Sequence, residues 1–170
     1  MIMNFLRNNV YAAGILTVLR LYVGWKWLSA GWGKVTGDPF NAGGYLNGAV
    51  NNPVMSGESM VYPNYVAFLE NFALPNAGLF SFLVAWGEVL VGLGLILGVL
   101  TTAAAFFGVM MNFAFMFAGT VSTNPWLVLI SIFILAAGAN AGKFGGDRWV
   151  LPYIKQMVMG KKAKKQEKVA

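Results

Sequence analysis

Residues 76–98 read NAGLFSFLVAWGEVLVGLGLILG, and this stretch decides the fold. At about 1.5 Å per residue it is long enough, as a helix, to cross a hydrocarbon core of about 30 Å. Its single charge is Glu88. Three further stretches resemble it. Tyr11–Lys34 carries Arg20 and Lys26, Thr101–Gly119 carries Asn112, and Asn124–Ala141 carries no charge. The 170-residue chain is 58% hydrophobic and 11% charged. A soluble domain is about half apolar and about a quarter charged, so this composition leaves too little polar surface to cover a soluble globule. A soluble cytoplasmic enzyme, a disordered chain and a collagen-like chain are therefore excluded. The expected fold is all-α, an integral membrane four-helix bundle with spans at about 11–34, 76–98, 101–119 and 124–141.

The connections predict the topology. Val99–Leu100 and Gly119–Thr123 leave room only for tight antiparallel hairpins. Residues 35–75 hold Pro39, Pro53, Pro63 and Pro75, so they form a long extracytoplasmic loop rather than one helix. Within it, Tyr62–Leu74 reads as a short amphipathic helix lying in the interface plane, with Tyr65, Phe68, Leu69 and Phe72 as its apolar side. Residues 1–142 form the membrane domain and 143–170 a basic cytoplasmic tail containing Lys143, Arg148, Lys155, Lys161, Lys162, Lys164, Lys165 and Lys168. Lys and Arg mark the cytoplasmic side, so both termini are expected there, in the plasma membrane. Met1–Val18 runs straight into a charged helix and is expected to be retained. The tail lacks interleaved aromatics, so its expected partner is the lipid bilayer and not nucleic acid.

The chain has no Cys and no His. Thiol chemistry, iron–sulfur clusters, covalent haem and His-held metals are thereby excluded, and no metal site is expected. Chemistry is left to the charges inside the spans. Counted from the cytoplasmic ends of their segments, Arg20 and Glu88 both lie about 14 Å deep, so they are expected to meet. Arg20 shares a helical face with Gly24, Trp27, Gly31 and Lys34. Glu88 shares one with Ser81, Ala85, Gly92 and Leu95, and Asn112 one with Ala105, Gly108 and Gly119. Small residues on these stripes let helices approach closely. Arg20, Glu88 and Asn112 are thus placed in the bundle interior, with Lys26 turned toward Tyr22. Two readings of the pair stand side by side: a device that fixes helix register, or a functional polar pocket.

Aromatic residues make up 15% of the chain. Trp25 and Trp27, with Phe106, Phe107, Phe113, Phe115 and Phe117, either pack or wall a flat apolar cavity. In Gly119–Pro125, Ser122, Thr123 or Asn124 is placed to cap the next helix, with Pro125 in its first turn.

These residues carry a family resemblance. Leu19-Arg20-Leu21 with Gly24-Trp25 and Ala30-Gly31-Trp32-Gly33-Lys34 resembles the first helix of the DoxX/DoxD family. Gly87-Glu88-Val89 with Gly92 and Leu97-Gly98 is similar to its second helix. Met111-Asn112-Phe113, Gly119-Thr120 and Ser122-Thr123-Asn124-Pro125 resemble its third helix and the turn that follows. Asp147-Arg148 with Leu151-Pro152 is similar to its C-terminal end. The resemblance implies a membrane redox subunit related to thiosulfate:quinone oxidoreductase. It would hold no covalent cofactor but a bound quinone, together with a redox partner subunit. In that reading Arg20 and Glu88 are the catalytic pair, and Trp27, Asn112 and Lys34 bind the cofactor. Two other readings remain: a small-anion transporter, which would need a homo-oligomer, and a non-catalytic scaffold.

Overall fold

The computed structural model describes residues 1–38 and 40–167, with side chains through 157. Lys168 and Pro39 lie outside the described residues, as do the side chains of Lys161, Lys162, Lys164 and Lys165. The structure is all-α apart from one small hairpin. Helix α1 (Ile2–Asn8) turns at Asn9 into α2, a single helix over Val10–Thr36. Asn9 caps α2 by accepting from the backbone N–H of Tyr11 (2.8 Å) and Ala12 (3.3 Å). No proline interrupts the run, and it stops at Gly37.

Residues 35–75 are folded rather than an open loop. They contain α3 (Ala42–Asn51), a hairpin of β1 (Met55–Ser56) and β2 (Ser59–Met60), and α4 (Pro63–Phe68), which continues as a π-helical turn over Leu69–Ala73. Helix α3 was invisible in the sequence because Gly43, Gly44 and Gly48 each weaken a helix intrinsically. Packing rescues it. Ala42, Leu46 and Ala49 form a second small core with Leu69 and Ala73, against Phe40, Tyr65 and Phe80. The amphipathic segment therefore buries Val66, Leu69 and Ala73, while Phe68 and Phe72 are exposed. Of the expected apolar side, Leu69 and Tyr65 pack against α3 while Phe68 and Phe72 stay exposed, and Val66 and Ala73 join the buried face.

Helix α5 (Ala77–Leu97) runs antiparallel to α2, followed by α6 (Thr101–Phe117) and α7 (Asn124–Ala137). A 3-10 turn over Gly138–Gly142 leads to α8 (Asp147–Glu167), so the expected tail begins as a helix. Among the described residues two helical stretches, Ala77–Leu97 and Asn124–Gly142, are long and apolar enough to cross a membrane, and Thr101–Phe117 is shorter. The α7 start has no side-chain cap among the described residues. Instead Asn124 Nδ2 donates to the Thr120 carbonyl (2.9 Å), and Pro125 occupies the first turn as expected.

Glycines set the α2–α5 register. A Cβ on Gly92 would lie 2.7 Å from Leu28 Cβ, one on Gly31 2.8 Å from Glu88 Cβ, and one on Gly24 3.0 Å from Leu95 Cβ. The two backbones therefore touch along three turns. Gly92→Leu is expected to lose about 3 kcal/mol or fail to fold, because Leu28 cannot retreat from its own backbone position. Gly44→Ala, which meets open space, is expected to be neutral. Thermal unfolding of both variants in detergent checks this.

Candidate functional site

The expected meeting of Arg20 and Glu88 does not occur. In the observed register Arg20 is level with Gly98, while Glu88 is level with Gly31. Eleven residues of α2 separate those levels, about 16 Å at about 1.5 Å per residue. The depth count had treated the helix ends as flush. In fact α2 overhangs the end of α5, and its first turns pack Ala12 and Leu16 into a core with Ala137 and Ala141.

Arg20 instead serves the end of α5. Its Nη1 donates to the carbonyls of Leu95 and Ile96, and its Nη2 donates to the Phe144 carbonyl (3.2 Å). The Leu95 and Ile96 carbonyls are ones the α5 terminus leaves unpaired. On the other side of the same hairpin, buried Asp147 accepts from the backbone N–H of Leu100 (2.6 Å) and Thr101 (3.1 Å). The hairpin needs this help, since Gly98 and Leu100 both have positive φ and Leu100 has a Cβ to accommodate. Arg20 and Asp147 thus form a clasp on the α5–α6 turn. The sequence signal was present in Gly98 and in the isolated Asp147, but only the fold brings them to Arg20.

Glu88 pairs with Lys34, whose Nζ lies 2.5 Å from Oε2. It is the only ion pair among the described residues. Glu88 is buried and Lys34 is one quarter exposed. Lys34 also stands over the Phe40 ring, 5.4 Å from its centroid. The pair lies in the wall of a half-open cavity of about 570 Å³ bounded by α2, α5, α6, the start of α7 and the segment between α2 and α5. Its walls are largely apolar and include the aromatic side chains of Trp27, Tyr45, Tyr65, Phe80 and Phe115. Trp27 and Phe115 are tilted against each other at 6.4 Å, and Tyr45 meets Phe115 edge-on at 6.2 Å.

Two tyrosines tie the segment between α2 and α5 down over this space. Tyr65 Oη donates to the Ala114 carbonyl (3.0 Å), and Tyr45 Oη shares a hydrogen bond with Thr120 Oγ1 (3.0 Å). Burial pushes the Tyr65 hydroxyl up to about 12, with neighbouring Tyr45 adding to the shift. Burial also raises Tyr45, while Thr120 lowers it. Both hydroxyls are therefore neutral donors at physiological pH.

Of the five residues singled out from sequence, Glu88, Lys34 and Trp27 line the cavity. Arg20 and Asn112 are absent from its lining. Asn112 is fully buried, and its amide has no hydrogen-bond partner among the described residues. Trp25, Phe106 and Phe107 are exposed and do not face the cavity, so of the expected aromatic wall Trp27 and Phe115 contribute. Lys26 reaches the rim while also standing over Tyr22. Sequence reading does not point to Phe40 or Tyr45, which lie in the expected loop, and it places Tyr65 on an interfacial helix rather than at the cavity. Among the described residues no group of acidic side chains could hold a metal ion.

Comparison with known proteins gives one family match. The DoxX model matches residues 15–120, more than half of the chain, spanning α2 through α6. No curated protein and no solved structure gives a significant match.

The buried pair and the tyrosine straps predict two behaviours. Lys34→Met leaves Glu88 buried without its cation and is expected to cost about 3 kcal/mol, whereas Lys34→Met with Glu88→Leu recovers most of that loss. A double-mutant cycle on detergent unfolding measures the difference. For Tyr65, the hydroxyl ionises near 10.0 when unfolded and at about 12 when folded. Its contribution to stability is complete below pH 10 and is lost as pH climbs through 12. The slope of stability against pH in that window is expected to flatten in Tyr65→Phe.

Proposed function

The chain belongs to the DoxX family, whose members are membrane-associated, and from that premise we propose that it is a quinone-binding subunit of a membrane redox system. In this reading α2, α5, α6 and α7 cross the plasma membrane. The segment between α2 and α5 caps the outer face, and both termini lie on the cytoplasmic side.

The observation that carries the proposal is the Lys34–Glu88 pair in the wall of an aromatic cavity. Sites for small flat ligands are apolar with few polar groups, and those groups fix orientation. A cavity of about 570 Å³ is of the right size for a quinone head group, and the residues present fit its chemistry. When bound, a quinone supplies a two-electron, two-proton couple that asks no redox side chain of the protein. Lys34 is placed to donate a hydrogen bond to a ligand oxygen, a contact strengthened by the low local dielectric. Glu88 holds that ammonium in position and is the group available to take up or give a proton. Trp27 and Phe115 orient the ring, and the strapped outer segment excludes water. With no Cys or His in the chain, the electron donor is assigned to a partner subunit or to a soluble small molecule.

Transport has weaker support. Inward of Trp27 the interior is filled by Leu16, Val23, Leu95 and Ile134. Arg20 is now given a structural role, so its substitution separates the two functions of the charged residues.

Organic extraction of gently purified full-length protein, followed by mass spectrometry, tests the proposal. The wild type and Arg20→Lys are expected to yield quinone near one per chain, and Lys34→Met and Glu88→Gln to lose most of it. Recovery of phospholipid alone from folded wild type, or undiminished quinone in folded Lys34→Met, overturns the reading.

A further inference from the structure

At the end of the bundle remote from the cavity, three cations from separate parts of the chain converge on a pocket of about 360 Å³. Arg7 comes from the last turn of α1, Lys143 from the residue after the 3-10 turn, and Arg148 from the first turn of α8. Arg7 is held by its Nε, which donates to the Ala136 carbonyl (3.0 Å), and its two terminal nitrogens remain available. Arg148 is stacked over the Trp149 ring at 3.7 Å. None of the three has an acidic partner among the described residues.

One carboxylate, Asp147, shares the pocket wall. Its two oxygens are already taken by the Leu100 and Thr101 N–H groups, and it lies within Coulombic reach of Arg20. It is also buried, so the pocket presents positive charge outward.

The pocket does not stand alone. It shares Asp147 and Leu151 with a groove of about 470 Å³ along α6, walled by Leu100, Phe106, Phe107 and Leu135. Phe106 and Phe107 are exposed on that side. Beside it α8 exposes Trp149, Leu151 and Tyr153 next to Lys155, the composition of a helix lying at a membrane surface. A cationic slot that opens into an apolar groove matches one amphiphile: its phosphate fits the slot and an acyl chain fits the groove.

We propose that the chain binds one anionic phospholipid here, with the head-group phosphate held by Arg7, Lys143 and Arg148. Basic pockets at the ends of membrane helices suit such head groups. The site is independent of the quinone reading, since it shares no residue with that cavity.

Native mass spectrometry of full-length protein released from detergent micelles tests it, with phosphatidylglycerol, phosphatidylcholine and inorganic phosphate as probes. One phosphatidylglycerol is expected to stay bound, in preference to phosphatidylcholine. The preference is expected to fall by about fivefold per cation removed, and so by roughly a hundredfold in Arg7→Gln/Lys143→Gln/Arg148→Gln. Lys143→Gln alone alters one exposed side chain and keeps the test decisive if the triple variant does not fold. Ala103→Phe fills the groove without changing charge and is expected to weaken phosphatidylglycerol as well. Equal retention of the two lipids, or no loss in Lys143→Gln, overturns the proposal. So does binding of inorganic phosphate as tight as that of the lipid, or indifference to Ala103→Phe, since either reduces the site to an ion slot.

Discussion

The close approach of α2 and α5 governs this structure. Gly24, Gly31 and Gly92 remove the side chains that would hold the two helices apart; Gly31 and Gly92 meet facing backbone at a distance no larger residue accepts, and Gly24 is nearly as tight. Such contacts are steep. A shift of one turn would drive Leu28 or Leu95 into the facing backbone, so a single register survives. Arg20, Lys34 and Glu88 then find their partners by that register.

Two consequences follow at opposite ends of the same helix pair. Toward the C-terminal end of α2, Lys34 comes level with Glu88 and a charge pair is set into partly aromatic surroundings. Toward the C-terminal end of α5, Arg20 comes level with carbonyls that have no helical partners. A guanidinium with five donors suits several carbonyls at once, whereas a single ammonium suits one carboxylate. The chemistry of each cation thus agrees with its place. Arg20 joins α2, α5 and the segment before α8. Asp147 closes the other side of the turn, so the α5–α6 hairpin is held from two directions although it contains a leucine with positive φ.

The segment between α2 and α5 shows how tertiary packing overrides local preference. A Gly-rich stretch has little reason to be helical on its own. Laid against Leu69, Ala73 and Phe80, it becomes α3 and brings Tyr45 over the cavity. The tyrosine hydroxyls then satisfy one backbone carbonyl and one threonine hydroxyl on or just after α6. This makes the roof of the cavity part of the fold rather than a loose cover, and gives it hydrogen bonds that can be broken one at a time.

The sequence by itself determined the four long apolar helices α2, α5, α6 and α7, since their apolar runs and the glycines and prolines that end them are local properties of the chain. It also picked out Trp27, Lys34 and Glu88, because charge and tryptophan within apolar helices are conspicuous and share helical faces. It did not determine which charge meets which. Depth counted from segment ends misplaced Arg20, because ends need not be flush: α2 runs past α5 to pack on the 3-10 turn after α7. Only the tertiary structure decided that offset, since it depends on where backbones on two helices can touch. It likewise decided that Tyr45, Tyr65 and Phe40 belong to the cavity, because their positions follow from contacts between segments distant in sequence, to which no local pattern points.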